Sequence, residues 1–451
     1  GKEYRVDTLY HAYIGPGTTQ TSIKLAGPVN LRVFYTTTDL KNENVDVRAI
    51  KHKDTLTGLG TVSNAAESHS TSNRSYFAGI NADFFSSSMP CGITVVDGEV
   101  YCSDQASGWS LFGIDANKIP YSGGGDFYVK LTAPDYSTAE LSAMNLERET
   151  NGLVLYSSRK GANTGTDSNG SEVVLIPDGE GNFLTPGATV RMRVQGNPSH
   201  AGSMPIPDNG YILSGSGTKE SFVSNLSEGD VVEVRCAIRF NGFTGGKIQQ
   251  ALGGCPMLVS GGKVLDTENA LDHLTSAQPR TAVGYNAEKN KLVMLVADGR
   301  SSISVGPISK VLADIMIYAG CSEAMNFDGG GSSTFYVKGE GVINQPSDGS
   351  ERSVTDGLYL STDAPQNDVT ITTIRFMDYA KTLNQGDAYT PVIYGYNQYE
   401  VLVDRNVEGV TLSCGSSLGT ITNDGTTLNA SGSGTGISCG ADDQRRNLPD
   451  Q

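Results

Sequence analysis

The residues best suited to chemistry form the run 326–334, in which a carboxylate is followed by three glycines, two serines and a threonine. The glycines 329–331, directly after Asp328, can adopt backbone conformations that other residues avoid, and they let a ligand approach the main chain closely. Their N–H groups can also form a concave site for an anion. Because the lysine of a P-loop is absent, the run does not favour a nucleotide. The alternative is a tight glycine turn that leaves Asp328 exposed and without a function.

This run resembles the signature of the phosphodiester glycosidase family, and other stretches match that family in the expected order. They are Gly-Ile-Asn-Ala-Asp-Phe-Phe at 79–85, Gly-Gly-Cys-Pro-Met-Leu-Val at 253–259, Arg-Thr-Ala-Val-Gly at 280–284, Asp-Gly-Arg at 298–300 and Pro-Ser-Asp-Gly-Ser-Glu-Arg at 346–352. The resemblance extends over about residues 1–362. Asp83 departs from the pattern, since the family usually has a small residue there.

The resemblance implies hydrolysis of a sugar-1-phosphodiester. The leaving group is then a phosphate monoester, which departs as a stable anion, so a strong general acid is less necessary than in most glycosidases. Such a site needs cations that hold the phosphate, preferably arginines that bind it through two N–H groups. It also needs a carboxylate that stabilises the anomeric centre, attacks it or activates water.

The motifs supply a candidate for each of these roles. Asp328 is the preferred carboxylate, followed by Asp298 and then Glu351. The predicted catalytic residues are Asp328, Asp298, Arg280 and Arg352. The predicted substrate-binding residues are Asn81, Asn326, Gly329, Gly330, Ser332 and Arg300.

Each candidate also has a structural interpretation. Arg280 could pair with Asp298 and hold two strands together, and both asparagines could cap turns. Glu351 and Arg352 could belong to a solvated turn, which is the favoured interpretation for Glu351. No histidine lies inside a family motif, and no cluster of histidine and cysteine suggests a metal, so we expect neither a metal nor a cofactor.

The elements around the two aspartates predict how they are positioned. A buried strand from Lys291 to Ala297 ends at Asp298, and a second strand leads to Asp328. Between them, apolar residues recur at helical spacing from Pro307 to Gly320, which predicts a helix. If the two strands are parallel neighbours, both carboxylates lie at the same edge of the sheet.

The pattern of short strands separated by Gly, Asp and Asn predicts an α+β, β-rich domain with a mixed sheet and few helices over residues 1–362. A polar linker at 361–368 contains Pro365. From residue 369 to residue 451 the strands recur at the spacing of a small all-β immunoglobulin-like sandwich. We expect this second domain, of the kind found in bacterial surface proteins, to make few contacts with the first.

Composition excludes several classes of function. The formal net charge is −16, which disfavours binding to nucleic acid or to anionic membranes. No apolar run reaches the length of a transmembrane span. Low charge, 55 glycines and seven cysteines without a C-x-x-C pair suit an extracytoplasmic protein, whether secreted, periplasmic or attached to the cell surface. Cys91 with Cys102, and Cys414 with Cys439, could form disulfides or remain buried thiols.

The favoured function is therefore hydrolysis of a glycosyl-phosphodiester in a glycan, with a sugar-phosphate or glycan as the partner. One alternative is a glycosidase of exopolysaccharide processing that acts on ordinary glycosidic bonds. That enzyme would need a second carboxylate about 5–10 Å from the first. The other alternative is a carbohydrate-binding or adhesive surface protein that has the fold without the chemistry.

Overall fold

Strands dominate the computed structural model of the chain, which describes residues 4–441 apart from 104–108, 180–182, 242, 245, 268–271, 378–380, 433 and 435–436. In this part of the chain the α-helices are Val62–His69, Glu220–Ser224, Asp272–Thr275 and Ser309–Tyr318, and the 3-10 helices are Ser158–Lys160, Gly217–Lys219 and Gly330–Ser332. No helix within it has the length and apolar character that a membrane crossing requires. The predicted β-rich fold with few helices is confirmed.

A central antiparallel sheet carries the strands that end at the candidate site. In spatial order its strands are Arg5–Gly15, Thr18–Ala26, Asn30–Asp39, Lys291–Ala297, Arg280–Tyr285, Glu323–Asn326, Met257–Ser260 and Lys263–Val264. Lys291–Ala297 is an almost continuous apolar run because both faces of the sheet are covered.

The helix Ser309–Tyr318 covers one of these faces. Leu312, Ala313 and Met316 on this helix are buried against Leu295 and other residues of the sheet. The helix begins later than predicted, because Ile308 is its N-cap and is itself exposed. It ends at the predicted place, where Gly320 adopts a positive φ of 99°.

A second, smaller antiparallel sheet covers the opposite face. Its strands, in spatial order, are Gly341–Val342, Phe335–Val337, Ser75–Asn81, Asp356–Thr362 and Asp46–Lys51. Ile80, Phe335 and Leu358 of this sheet share a core with Met294 and Met325 of the central sheet. The end of Ser75–Asn81 and the start of Asp356–Thr362 thereby lie beside the candidate site.

A large sheet has a core of its own and also contributes Phe112, Ile114 and Leu252 to the core of the other two sheets. In order it contains Ala143–Met144, Leu153–Tyr156, Tyr211–Ser216, Gly170–Pro177, Thr189–Ser199, Val231–Phe240, Pro120–Thr132, Ser110–Asp115, Ile248–Gly254, Thr94–Val96 and Glu99–Cys102, with Thr138–Glu140 and Phe243–Thr244 at its sides. A short hairpin joins Phe85–Ser86 to Met89–Pro90. The sheet is mixed, since Ala143–Met144 pairs in parallel with Leu153–Tyr156. No disulfide joins Cys91 to Cys102, and the side chain of Cys439 lies outside the described residues.

The C-terminal region consists of small antiparallel sheets. They are Thr373–Phe376 with Ile393–Tyr396 and Leu402–Asp404, Ala388–Tyr389 with Leu428–Ala430 and Gly419–Ile421, and Val410–Cys414 with Ile437–Ala441. The immunoglobulin-like assignment and the domain boundaries remain predictions.

The expectation that this region makes few contacts with the rest of the chain is wrong. The hydroxyls of Tyr10 and Tyr394 lie 3.2 Å apart, and the Tyr396 hydroxyl donates a hydrogen bond to the Tyr13 carbonyl at 2.7 Å. Tyr394 and Tyr396 are buried in a cluster with Ala12 of the first strand. The aromatic residues of the N-terminal strand therefore form a docking surface for the C-terminal region.

Candidate active site

Three strand ends meet at one edge of the central sheet. The strands Lys291–Ala297 and Glu323–Asn326 both pair antiparallel with Arg280–Tyr285, which lies between them. They are therefore parallel to each other, as predicted, but they are not neighbours. Asp298 and Asp328 still follow strand ends at the same edge, and Arg280 begins the strand between them.

Backbone hydrogen bonds hold Asp328 at this edge. Its N–H donates to the carbonyl of Ala82 at 2.8 Å, and its own carbonyl accepts the side-chain amide of Asn81 at 2.7 Å. The preceding Phe327 is fully buried and donates its N–H to the Thr281 carbonyl at 2.8 Å. The backbone of Asp328 is thus fixed by both sheets, and its side chain is partly exposed.

The three glycines make room for two arginines. Gly330 has a φ of 62° and donates its N–H to the Pro279 carbonyl at 2.9 Å. A Cβ atom on Gly330 would lie 2.9 Å from a guanidinium nitrogen of Arg300, and one on Gly331 would clash with the guanidinium of Arg352. A side chain at Gly330 or Gly331 would therefore force the neighbouring arginine to move.

Both guanidinium groups are exposed and oriented by neighbours. Arg352 donates to a carboxylate oxygen of Asp348 at 2.8 Å and to the Ser332 hydroxyl at 3.5 Å. Arg300 donates to the side-chain carbonyl of Gln278 at 2.8 Å and to the Ser347 hydroxyl at 3.3 Å. An arginine held in this way presents its outer N–H groups in the planar geometry that a phosphate accepts.

Burial and the neighbouring donors have opposite effects on the pKa of the Asp328 carboxyl. Burial raises its pKa to about 6, although the Ser332 hydroxyl, the Arg352 guanidinium and the Gly329 N–H each act to lower it. Because a pKa of about 6 is still below neutrality, the group is mostly ionised at pH 7. The buried Ser332 hydroxyl lies against both Asp328 and Arg352 and so couples the carboxylate to the cation.

Arg280 lies behind the exposed arginines. Its side chain is 2% exposed and donates to the backbone carbonyls of Ser276 and Pro307. Burial and the nearby charge of Arg300 together lower its pKa to about 10. This position favours an indirect effect on the site through charge over direct contact with a ligand.

Asp298 is enclosed by a loop. Its side chain is 4% exposed, and one carboxylate oxygen accepts the Asn344 amide at 3.2 Å and the Gln345 N–H at 2.9 Å. Burial raises its pKa to about 6. These contacts suit a residue that holds the 344–345 loop against the sheet, so the geometry does not support the expected catalytic role.

The side chains of Asn81 and Asn326 form hydrogen bonds with other residues of the protein. The Asn81 carbonyl oxygen accepts the Thr281 hydroxyl at 2.8 Å and the Thr334 N–H at 3.1 Å. Asn326 is 1% exposed and donates its amide to the Cys255 carbonyl at 2.8 Å. The expected hydrogen bonds to sugar hydroxyls do not fit this buried arrangement, in which Asn81 holds the Asp328 carbonyl and Asn326 holds the Cys255 carbonyl.

The structure thus divides the predicted residues into two groups. Around the exposed turn it brings together Asp328, Gly329, Gly330, Ser332, Arg300 and Arg352. Behind that turn it places Asn81, Arg280, Asp298 and Asn326.

Three residues that orient the arginines were not predicted, namely Asp348, Ser347 and Gln278. Asp348 forms an ion pair with Arg352 at 2.8 Å, and its spacing of four residues from that arginine was the available signal. Ser347, next to it, had no distinguishing signal. Glu351 accepts the N–H and hydroxyl of Ser63 at the start of a helix, which agrees with the structural interpretation. In the part of the chain that the structure describes, no group of three or more His, Cys, Asp or Glu side chains could hold a metal ion.

Known proteins share the sequence and the fold in part. An uncharacterized SPbeta prophage-derived protein of Bacillus subtilis, YomE, is 40% identical over 88 residues, which are 20% of this chain and 13% of that protein. The chain thus matches only a small part of that relative. A hypothetical protein of Synechocystis superposes with a TM-score of 0.59 at 15% identity, over 77% of this chain and 62% of that one.

A Burkholderia pseudomallei protein called "Putative exported protein" superposes with a TM-score of 0.55 at 22% identity, over 74% of each chain. At these identities both structures show a shared fold alone. The phosphodiester glycosidase family matches residues 184–361, which include both exposed arginines, Asp298 and Asp328. This matched stretch, which is less than half of the chain, is thus similar to a phosphodiester glycosidase domain.

Proposed function

We propose that the chain hydrolyses a glycosyl-phosphodiester, the bond between the anomeric carbon of a sugar and a phosphate. The observation that carries this proposal is the pairing of one partly exposed, mostly ionised carboxylate, Asp328, with Arg300 and Arg352 across a glycine turn. An anion next to two guanidiniums and a carboxylate next to the anomeric carbon are the requirements of this reaction.

The charges around the turn support an anionic ligand. Arg280 is buried and is further destabilised by the charge of Arg300, as its lowered pKa shows. A phosphate bound at Arg300 and Arg352 would add a negative charge near all three guanidiniums and relieve this repulsion. The net charge of −16 makes such a local cationic cluster unusual on this protein.

In the proposed reaction, Arg300 and Arg352 bind the phosphate and stabilise the charge that develops on it as the bond to the sugar breaks. The phosphate monoester leaves as an anion, so no proton donor is required. Asp328 faces the anomeric carbon as an ionised group that attacks it, activates water or stabilises its positive charge. Asn81 and the Ala82 carbonyl hold the Asp328 backbone in place.

The two alternatives make different demands on the site. A glycosidase acting on ordinary bonds needs a carboxylic acid that reaches the leaving oxygen. Asp298 does not fit, since it is buried under the 344–345 loop, and Asp348 is occupied with Arg352. A carbohydrate-binding protein would not need a partly exposed carboxylate beside two arginines. The substrate's sugar, the extracytoplasmic location and any attachment to the cell surface remain part of the proposal.

The test is a comparison of matched substrates. Methyl phosphodiesters of N-acetylglucosamine, glucose and mannose, linked through the anomeric oxygen, are incubated with the protein alongside the corresponding methyl glycosides, and released sugar is measured. We expect release from at least one phosphodiester and none from the glycosides. Release from the glycosides at a similar rate would favour the ordinary glycosidase, and binding of sugar without any release would favour the adhesive protein.

A further inference from the structure

A pair of carboxylates, Asp83 and Asp356, is enclosed beside the candidate site and plays no part in the proposed reaction. Asp83 is 1% exposed and Asp356 is completely buried. The N–H of Asp83 donates to one carboxylate oxygen of Asp356 at 2.8 Å, so the two residues are in direct contact. Asp83 follows the strand Ser75–Asn81, and Asp356 begins the neighbouring strand.

Each carboxylate has one oxygen that is satisfied and one that is not. The second partner of the pair is the Gly92 N–H, which donates to Asp83 at 2.8 Å. The other oxygen of Asp83 and the other oxygen of Asp356 are buried and have no hydrogen-bond partner. Buried carboxylate oxygens almost always have a donor, so these two need an explanation.

The surroundings exclude several explanations. Gly92 and Gly253 pack against the Asp83 carboxylate so closely that a Cβ atom on Gly253 would lie 2.8 Å from it, which leaves little space for a larger ligand. Among the described residues, no set of three or more potential metal ligands is present here. A proton on a carboxyl oxygen supplies the missing donor without any added volume.

We propose that Asp83 and Asp356 form a buried proton-holding pair, in which at least one carboxyl group is protonated at neutral pH, so that Asp328 carries the negative charge at this end of the sheet. The pair is too deeply buried to contact substrate, and its role is to position charge. The charge of Asp356 raises the pKa of Asp83, and two buried carboxylates that interact in this way cannot both ionise at low cost.

The charged and titratable groups around the pair agree with this assignment. Burial raises the pKa of Asp356 to about 7 and raises that of Asp83 well above its ordinary value, and the charge of Asp328 raises both further. Lys51 on the strand Asp46–Lys51 opposes this effect on Asp356, and Cys102 lies beyond it. Lys51 donates to the Gly58 carbonyl at 3.0 Å.

Melting curves of asparagine variants test the pair without any activity assay. A carboxyl whose pKa is raised by folding is most favourable below its unfolded pKa, and its contribution to stability falls as pH rises through the folded pKa. Asp356→Asn and Asp83→Asn remove this loss, because an amide stays neutral over the whole pH range. We therefore expect each variant to gain in Tm relative to the wild type between about pH 5 and about pH 8.

Asp115→Asn is the matched control. Asp115 is also buried, but its oxygens accept the N–H groups of Asn117 and Ile119 at 2.8 and 2.9 Å and the Tyr121 hydroxyl at 3.1 Å. The amide nitrogen of an asparagine there would lie against N–H and O–H groups that need an acceptor. Asp115→Asn should therefore have a lower Tm than the wild type at both pH 5 and pH 8. If Asp83→Asn and Asp356→Asn behave like Asp115→Asn, both carboxyls are ionised in the folded protein and the proposal is wrong.

An infrared measurement on the wild-type protein covers the case in which the variants fail to fold. The carbonyl band of a protonated carboxylic acid should persist at pH 8 in the wild type, and its absence would overturn the proposal. The consequence for catalysis rests on the proposed function. If that function holds, whichever of Asp83→Asn and Asp356→Asn replaces the protonated carboxyl should leave the acidic limb of kcat/KM in place, because it removes no charge. A protein without hydrolytic activity would refute the proposed function while the melting and infrared results still decide the pair.

Discussion

The regions around Asp298 and Asp328 differ although the two carboxylates share much. Each follows a strand at the same edge of the central sheet, and burial raises the pKa of each to about 6. Asp298 is covered by a loop whose Asn344 and Gln345 donate to it. Asp328 opens onto a glycine turn with a cation beside it. Burial raises both pKa values alike, and the two residues differ in their exposure and in the groups that donate to them.

The same difference explains why the region of Asp328 is suited to catalysis and the region of Asp298 to stabilising the fold. At Asp298 the donors come from the protein and leave no room for a ligand. At Asp328 the donors are Ser332, Gly329 and Arg352, and the guanidinium is itself exposed to solvent. Substitutions at these residues test the difference between Asp298 and Asp328, and the largest effect is expected at Asp328.

Asp328→Asn should lower kcat/KM by at least about 1000-fold, because the amide keeps the shape of the side chain and removes its charge. The variant should melt at or above the wild-type temperature at pH 8, since it also removes a carboxylate that is costly to bury. Hydrolysis of the best phosphodiester substrate and a melting curve check both statements. Turnover within a few-fold of the wild type would remove Asp328 from the catalytic role.

Arg352→Gln should lower kcat/KM by about 100-fold, because it removes a donor to the phosphate. It should also move the acidic limb of the pH profile upward from about pH 6, since Arg352 lowers the pKa of Asp328. The matched control is Arg239→Gln, which removes another ion-paired arginine, the partner of Asp126, and should leave kcat/KM unchanged. An unshifted limb would show that Arg352 does not act on Asp328.

Asp298→Ala should reduce stability more than activity. It leaves the Gln345 N–H without an acceptor and removes one of the two acceptors of the Asn344 amide, which costs about 1–3 kcal/mol of unfolding free energy. Denaturant unfolding measures this loss, and kcat per folded molecule should stay within a few-fold of the wild type. A stable variant without turnover would reverse the contrast between the two aspartates.

The smallest effect is expected at the docking surface of the C-terminal region. Tyr396→Phe loses the hydrogen bond to the Tyr13 carbonyl, which contributes about 0.5–1.5 kcal/mol. Unfolding followed by denaturant should detect this loss while hydrolysis remains unchanged. A fall in kcat would mean that the docked region influences the site.

The sequence predicted the turn at Asp328 well, but it predicted poorly the roles of the residues that lie behind this turn. Three glycines after a carboxylate are a local signal, and Gly330 does adopt the positive φ that only glycine adopts easily. Asp298 gave the same local signal of a strand end, but the loop that covers it lies about 46 residues later in the chain. The tertiary structure decides which carboxylate a loop covers, and local sequence patterns do not carry this information.

The same limit applies to other parts of the fold. The strand Lys291–Ala297 and the helix after Ile308 were predicted because their apolar patterns are strong. The docking of Tyr394 and Tyr396 was not predicted, because it depends on contacts with Tyr10 and Tyr13, which lie more than 380 residues earlier in the chain. Asp83 stood out only as a departure from a family pattern, and its contact with Asp356 became visible in the structure.

The most direct test of the central claim is chemical rescue of Asp328→Ala by small anions. Azide that enters the space left by the carboxylate can attack the anomeric carbon, so that a carbon–nitrogen bond forms as the bond to the phosphate monoester breaks. We predict that azide or formate restores phosphate-monoester release in Asp328→Ala in a concentration-dependent manner, and does not increase it in Asp298→Ala. Rescue of Asp298→Ala alone, or near-normal turnover of Asp328→Ala without any added anion, would contradict the assignment of Asp328 as the catalytic carboxylate.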